Sequence, residues 1–172
     1  MAFCFGAAMT TYREAVAADL AAICAIGKIV NDRHHEIAPK FFAPPSDALR
    51  DEAVWKQSIE SDSATTFVAE DDGQVIGFVN VGIVDETNSL AQPIRFARVG
   101  MVGVLESYRR RGIGRSLMEH AEHWAVARGA VDIRLTVWTF NEDAIRLYRD
   151  LGYDVRSQTM GKSARASAIR RQ

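Results

Sequence analysis

Cysteine is scarce in this chain: there are two, Cys4 and Cys24, in 172 residues. Two thiols so placed make neither a disulfide framework nor a metal-ligand spacing, which favours a reducing compartment with the cytoplasm as the default. An excess of basic charge is also missing. Lys plus Arg number 21 against 22 Asp plus Glu, a formal net charge of −1, so no electrostatic argument favours nucleic acid as a partner. No apolar run approaches the length a membrane span needs. The apolar opening Met1–Ala8 is short and lacks the charged start of a secretory signal. It reads as an N-terminal extension, residues 1–8, with Met9 an alternative start. Residues 163–172 are small, polar and basic without periodicity, as in a flexible tail, with RNA contact through Arg165, Arg170 and Arg171 the remote alternative.

What is present is one patterned segment, residues 9–162, in a chain that is 48% hydrophobic and long enough to bury a single core. Thr11–Ala15 reads as a short strand. Asp19 then caps a helix carrying Leu20, Ile23, Cys24, Ile26 and Ile29 near one face. Pro39 and Pro44-Pro45 interrupt, and a second helix is expected from Ser46 or Asp47 with Leu49, Val54 and Ile59 beside Trp55. Phe67–Glu70, the Asp71-Asp72-Gly73 turn and Gln74–Val84 read as a β-hairpin, because Asp-Gly supplies positive backbone dihedrals. Ile94–Leu105 is another extended stretch. A helix follows from Gly112, with Ile113, Leu117, Ala121, Trp124 and Ala125 at helical spacing and Gly129 as its stop. Ile133, Leu135 and Val137 alternate like a half-buried strand, Asn141 caps a last helix ending near Gly152, and Tyr153–Met160 is expected to be a final strand.

The densest chemical signal is Tyr108-Arg109-Arg110-Arg111-Gly112-Ile113-Gly114-Arg115, set between a strand and a helix. Glycines allow a tight turn, and the first amides of the next helix are unpaired donors at the positive end of its dipole. With arginines beside them they form a phosphate cradle; taken alone, the octapeptide is equally a solvated basic turn. A P-loop would need Lys-[Ser/Thr] after Gly114, where Arg115 stands, and a dinucleotide fingerprint would need glycine at Leu117. Both fail, which disfavours a kinase or ATP-binding protein and leaves a diphosphate site of another type.

Arg109-Arg110-Arg111-Gly112-Ile113-Gly114 resembles the [Gln/Arg]-x-x-Gly-x-[Gly/Ala] signature of the Gcn5-related N-acetyltransferases, the GNAT family. The resemblance continues through Leu135–Asn141 and through Ala144–Tyr153, with its helix tyrosine and Gly-aromatic ending, and the order of elements from Thr11 to about Lys162 is also similar. It implies an α/β GNAT fold: a mixed, mostly antiparallel, splayed sheet flanked by helices, forming one domain over residues 9–162. It further implies acetyl-CoA as acetyl-donor substrate, lying in the splay between the strands ending near Val104 and Trp138. By the resemblance, Arg109, Arg110, Arg111, Gly112, Ile113, Gly114 and Arg115 hold the pyrophosphate. The backbone of Val102, Gly103 and Val104 pairs with the pantetheine arm. A bulge in that strand aims a backbone N–H near Val102 at the thioester oxygen, stabilising a tetrahedral oxyanion.

Asn141 and Tyr148 lie two helical turns apart on one face, with small Ala144 between them. The resemblance makes Asn141 a cofactor contact and Tyr148 the acid that protonates the departing thiolate; a phenol with an ordinary pKa of about 10 keeps its proton at neutrality, as that role needs. Without the Arg/Gly run, Tyr148 reads as a core aromatic with its hydroxyl at the surface. The expected reaction is direct attack by a primary amine of a small molecule or protein in a ternary complex, without a metal. A non-catalytic CoA-binding regulatory module of the same fold is the alternative. The strand glutamate of histone-acetylating members aligns with Arg98, which cannot act as a base. Glu70, Asp85, Glu106, His34 and His35 remain candidates, each more readily a surface or capping residue. His34–Pro45, with Phe41 and Phe42, reads either as a helix connection or as a wall of the acceptor site. The family's habit of pairing terminal strands raises a homodimer through Tyr153–Met160.

Overall fold

A computed structural model of the chain describes residues 9–47, 51–87 and 92–162. The apolar opening with Cys4, the predicted helix residue Leu49 and the basic tail with Arg165, Arg170 and Arg171 lie outside the described residues. The chain divides into two units, Met1–Trp138 and Thr139–Gln172.

The first unit is built on a five-stranded open sheet in the order β1-β2-β3-β4-β5. Its strands are β1 Thr11–Glu14, β2 Ala64–Asp71, β3 Gln74–Glu86, β4 Ile94–Val104 and β5 Ile133–Arg134. The first four pair antiparallel and β4 pairs with β5 in parallel, which makes the sheet mixed. The β2–β3 turn forms as its sequence dictates: Asp72 and Gly73 take φ of 49° and 76°, and Asp71 pairs with Gln74.

Helices cover both faces. α1 (Leu20–Ile37) and α2 (Glu52–Ile59) lie on one side, where Ile23, Cys24, Ile26 and Trp55 pack with Val68 and Phe78. α3 (Ile113–Ala127) lies on the other, presenting Leu117 towards Gly77 and His120 towards Phe67. A sheet buried on both faces needs no polar alternation, and Thr65–Ala69 and Ile76–Val79 are accordingly buried throughout. Close packing shows at Gly103, where a methyl group would stand 2.8 Å from Ile26 Cγ2.

Several elements depart from the sequence reading. α1 continues through His34 and His35 to Ile37, while Ile29 falls off the buried stripe at 47% exposure. Asp19 makes no side-chain cap on α1. Its carboxylate accepts the Val16 N–H at 2.8 Å and pairs with the part-exposed Arg13 at 2.7 Å, an ionic knot that satisfies it more fully than a cap. α2 begins at Glu52 rather than at Ser46 or Asp47, and it turns Trp55 and Ser58 inward with Val54 outward.

The strand expected through Val137 contracts to Ile133–Arg134, whose partners are Ala97 and Arg98. The cause lies in β4. Val79 to Val81 spans two steps of β3, whereas their partners Val102 and Val99 span three of β4, so an extra residue bulges at Gly100–Met101 opposite Asn80. A bulge bends and twists its strand, and the parallel ladder ends just before it. This is the splay: beyond Arg98, that edge of β4 has no strand partner among the described residues.

The second unit contributes α4, Glu142–Asp150. Gly152 closes it at φ 91°, and the Tyr153 N–H donates to the Tyr148 carbonyl at 2.9 Å. The expected strand Tyr153–Met160 does not form. Val155 and Met160 are 71% and 92% exposed, so little buried apolar surface rewards an extended ladder there.

Candidate functional site

The Arg/Gly run forms a turn that the sequence could only outline. Leu105 ends β4 by donating its N–H to the Ile76 carbonyl at 2.9 Å, and Glu106–Tyr108 adds one 3-10 turn. Two left-handed residues follow, Arg110 at φ 63° and Gly112 at φ 83°. The second is glycine for conformational reasons alone, since a methyl group there would meet nothing within 4 Å. The first carries a side chain in a backbone state that costs of order 1–2 kcal/mol, a cost that gathers at ligand-holding turns.

The turn leads directly into α3. The first intrahelical bond is from the Ser116 N–H to the Gly112 carbonyl, 3.1 Å, so the N–H groups of Ile113, Gly114 and Arg115 precede the ladder. Gly112 has no side chain to cap them, and the first turn of α3 holds no acidic residue. Helix dipole, amide donors and arginines therefore all favour an anion. The arginines are not equivalent. Arg109 turns back and donates from Nε to the Val104 carbonyl at 3.2 Å, and the Arg111 guanidinium lies 5.0 Å from the centre of the Tyr108 ring.

Val102, Gly103 and Val104 lie in β4 opposite Val79, Phe78 and Gly77, immediately after the bulge. Arg98, opposite Gly82, is exposed with its guanidinium 5.5 Å from the Phe96 ring centre. Of the candidate bases, Glu70 is held by Arg13 at 2.6 Å and Asp85 by Arg95 at 3.3 Å. Glu106 is exposed in the 3-10 turn. His34 and His35 direct Nδ1 to the carbonyls of Val30 and Phe42 at 2.7 and 2.9 Å, which in the neutral ring leaves the lone pair on Nε2.

The sequence reading grouped His34 with Phe41 and Phe42 but missed Trp138 beside them, and it missed one polar grouping altogether. Phe41 and Phe42 pack with tilted rings against Trp138, ring centres 5.3 and 5.0 Å apart, and the His34 ring centre lies 4.8 Å from that of Phe42. Ser58, Thr66 and Asn80 form a polar knot beneath α2, whose only signal in the sequence is an asparagine inside the apolar run Val79–Val81. No group of three His, Cys, Asp or Glu among the described residues is placed to hold a metal ion, and no described helix is long and apolar enough to cross a membrane.

In α4, Asn141 is the N-cap: its Oδ1 accepts the Ala144 N–H at 3.4 Å. Tyr148 is half-buried, its ring edge-on to Tyr153 at 5.9 Å, and burial pushes its phenol above the ordinary 10.0.

A family model described as the Acetyltransferase (GNAT) family matches residues 30–153. The chain belongs to the GNAT family. This GNAT chain is 35% identical over 94 residues to an N-alpha-acetyltransferase of Sulfurisphaera tokodaii, covering 52% of this chain and 56% of the relative. It is 31% identical over 109 residues to a streptothricin acetyltransferase of Streptomyces lavendulae, covering 63% and 54%. The chain thus spans about half the length of these curated relatives. Among solved structures it is similar to a mutant BH1408 protein of Bacillus halodurans, with TM-score 0.82, 22% identity and coverage of 89% and 98% of the two chains. It is also similar to an aminoglycoside N-acetyltransferase in complex with CoA, with TM-score 0.74, 18% identity and coverage of 95% and 100%. At those identities the likeness is one of fold, and the mixed open sheet flanked by helices is the GNAT sheet.

Proposed function

We propose that this GNAT chain transfers acetyl from acetyl-CoA to a primary amine of a small molecule or protein, by direct attack in a ternary complex. The observation that carries the reading is the turn with two left-handed residues, Arg110 and Gly112, which opens α3 with no acid in its first turn. Such a turn suits a diphosphate, because backbone N–H groups at a helix start and neighbouring guanidinium groups are both donors to phosphate oxygens.

When bound, acetyl-CoA supplies an acyl group activated as a thioester. The chain's residues do the rest. The amides of Ile113, Gly114 and Arg115 with Arg110 and Arg111 bind the diphosphate, while Arg109 braces the turn. The backbone of Val102–Val104 lines the pantetheine arm, and a backbone N–H near Val102 stabilises charge developing on the carbonyl oxygen. Tyr148 protonates the departing thiolate, a role consistent with a phenol that burial keeps protonated. Asn141 and Ala144 complete the cofactor contacts. Because Arg98 stands where histone-acetylating members have a glutamate, proton removal from the amine passes through another group or through water.

The relatives bear the names N-alpha-acetyltransferase, streptothricin acetyltransferase and mycothiol acetyltransferase. Names so varied support acetyl transfer as the shared chemistry and leave the acceptor as a class. Thiol release from acetyl-CoA across a panel of amino acids, polyamines, aminoglycosides and peptides tests the reading, with mass spectrometry of the acetylated product. Turnover on at least one amine is expected. Saturable acetyl-CoA binding with no turnover on any amine would instead identify a regulatory CoA-binding module.

A further inference from the structure

We propose that Asn80 is a positioning residue, whose carboxamide fills the β4 bulge and fixes the direction in which the strand presents its backbone donor to the thioester. The functional half of this inference rests on the acetyl-transfer reading; the structural half stands alone.

Asn80 is the one β3 residue opposite the bulge, facing Gly100 and Met101 where its neighbours Val79 and Val81 face Val102 and Val99. Its side chain is held from two other elements. Nδ2 donates to Ser58 Oγ of α2 at 2.5 Å and towards the Thr65 carbonyl of β2 at 3.5 Å. Ser58 is braced in turn by a 3.0 Å hydrogen bond with Thr66 Oγ1. Thr66 is fully buried and Ser58 is 7% exposed, on the sheet face otherwise made of Val68, Phe78 and Trp55.

Polar groups buried on an apolar face destabilise unless they are mutually satisfied, and a satisfied network specifies one arrangement. Here the Asn80 amide nitrogen is tied to α2 through Ser58, with a longer approach to the Thr65 carbonyl of β2, and Oδ1 lies on the β4 side against Gly100. The strand accommodates it with a glycine. A methyl group on Gly100 would come closer than 3.0 Å to Asn80 Oδ1, and the next atom it would approach, at 3.5 Å, is Asn80 Cγ. The wedge is therefore specific to this pair, and it sits one to two residues before Val102. A bulge re-aims the residues beside it, so a side chain that sets the bulge also sets the aim of the N–H near Val102. The ladder between β4 and β5 ends at Arg98, two residues before Gly100, and among the described residues that stretch of β4 is open along its far edge.

Two measurements test this. The first is a double-mutant cycle by chemical unfolding on Gly100→Ala, Asn80→Ala and the double variant. Gly100→Ala should lower the unfolding midpoint clearly in the wild-type background and by less than about a third as much with Asn80→Ala; equal effects in the two backgrounds would overturn the wedge. The second uses the infrared carbonyl band of bound acetyl-CoA labelled with carbon-13 at the thioester carbonyl. Asn80→Ala should bind acetyl-CoA within about threefold of wild type by calorimetry, yet lose at least half of the band's downshift, and Ser58→Ala should lose a smaller part. If Asn80→Ala does not fold, Ser58→Ala decides by the same comparison. An unchanged band with binding intact would overturn the positioning role alone. A wild-type protein that binds no acetyl-CoA would sink the acetyl-transfer reading and the positioning role with it, while the unfolding cycle still judges the wedge.

Discussion

The Arg109 side chain is tied to Val104: Nε donates to the Val104 carbonyl at 3.2 Å, joining the start of the Arg/Gly turn to the last residue of β4. The first arginine of the motif thus acts inside the protein, as a brace between two segments that the proposed donor substrate contacts at different points.

Arg109→Ala should therefore weaken acetyl-CoA binding by about tenfold, the value of one charge-assisted hydrogen bond that positions rather than touches the ligand. Arg109→Gln keeps a donor at the same reach and should retain affinity within about threefold. Calorimetric titration of the two variants checks this; equal losses would assign Arg109 a charge role instead.

Gly112→Ala isolates backbone conformation, because the added methyl group has open space and only the φ of 83° opposes it. A loss of about 1–2 kcal/mol in unfolding free energy is expected, together with weaker acetyl-CoA binding as the first α3 amides shift. Denaturant unfolding at constant slope reads the first effect and calorimetry the second.

Tyr148→Phe should cut turnover by about a hundredfold, within the usual range for a general acid, and change acetyl-CoA affinity little. The pH dependence has a definite sign. Burial raises the phenol above 10.0, so between that value and the folded pKa the unfolded chain has lost a proton that the folded protein keeps. Stability therefore falls as pH rises past about 10, and Tyr148→Phe should remove that part of the alkaline loss. Rate profiles and unfolding curves above neutrality test both.

The opposite sign applies to Asp19. Arg13, and then the Val16 amide, hold its carboxyl below the ordinary 3.8. The stabilisation is complete above the ordinary carboxylate range and is lost as pH falls through the lowered folded value. Asp19→Asn should cost on the order of 1 kcal/mol at neutral pH, allowing for an Arg13 side chain that is 39% exposed, and should flatten the acid limb of the stability curve. Unfolding midpoints between pH 7 and pH 3, about the range where carboxylates titrate, check it.

The legible parts of the molecule were those written in adjacent residues. Asp72-Gly73 announces its turn, and Gly112 with the apolar spacing from Ile113 to Ala125 announces α3 and the tight turn before it. The parts that were not legible depend on partners distant in the chain. Asn80 meets Ser58 and Thr65, 22 and 15 residues away, so one asparagine between valines carries no sign of the bulge it fills. The bulge then shortens β5, which the alternation of Ile133, Leu135 and Val137 had extended. His34 and His35 lie within α1 with their imidazoles bonded to backbone carbonyls, an arrangement that hydrophobic periodicity does not register.

The turn from Arg109 to Arg115 is proposed to grip the diphosphate of acetyl-CoA, and calorimetric titration of the purified protein with acetyl-CoA and, separately, with ATP tests this most directly. Saturable one-to-one binding of acetyl-CoA with ATP silent is the predicted result; binding of ATP with acetyl-CoA silent would contradict the account.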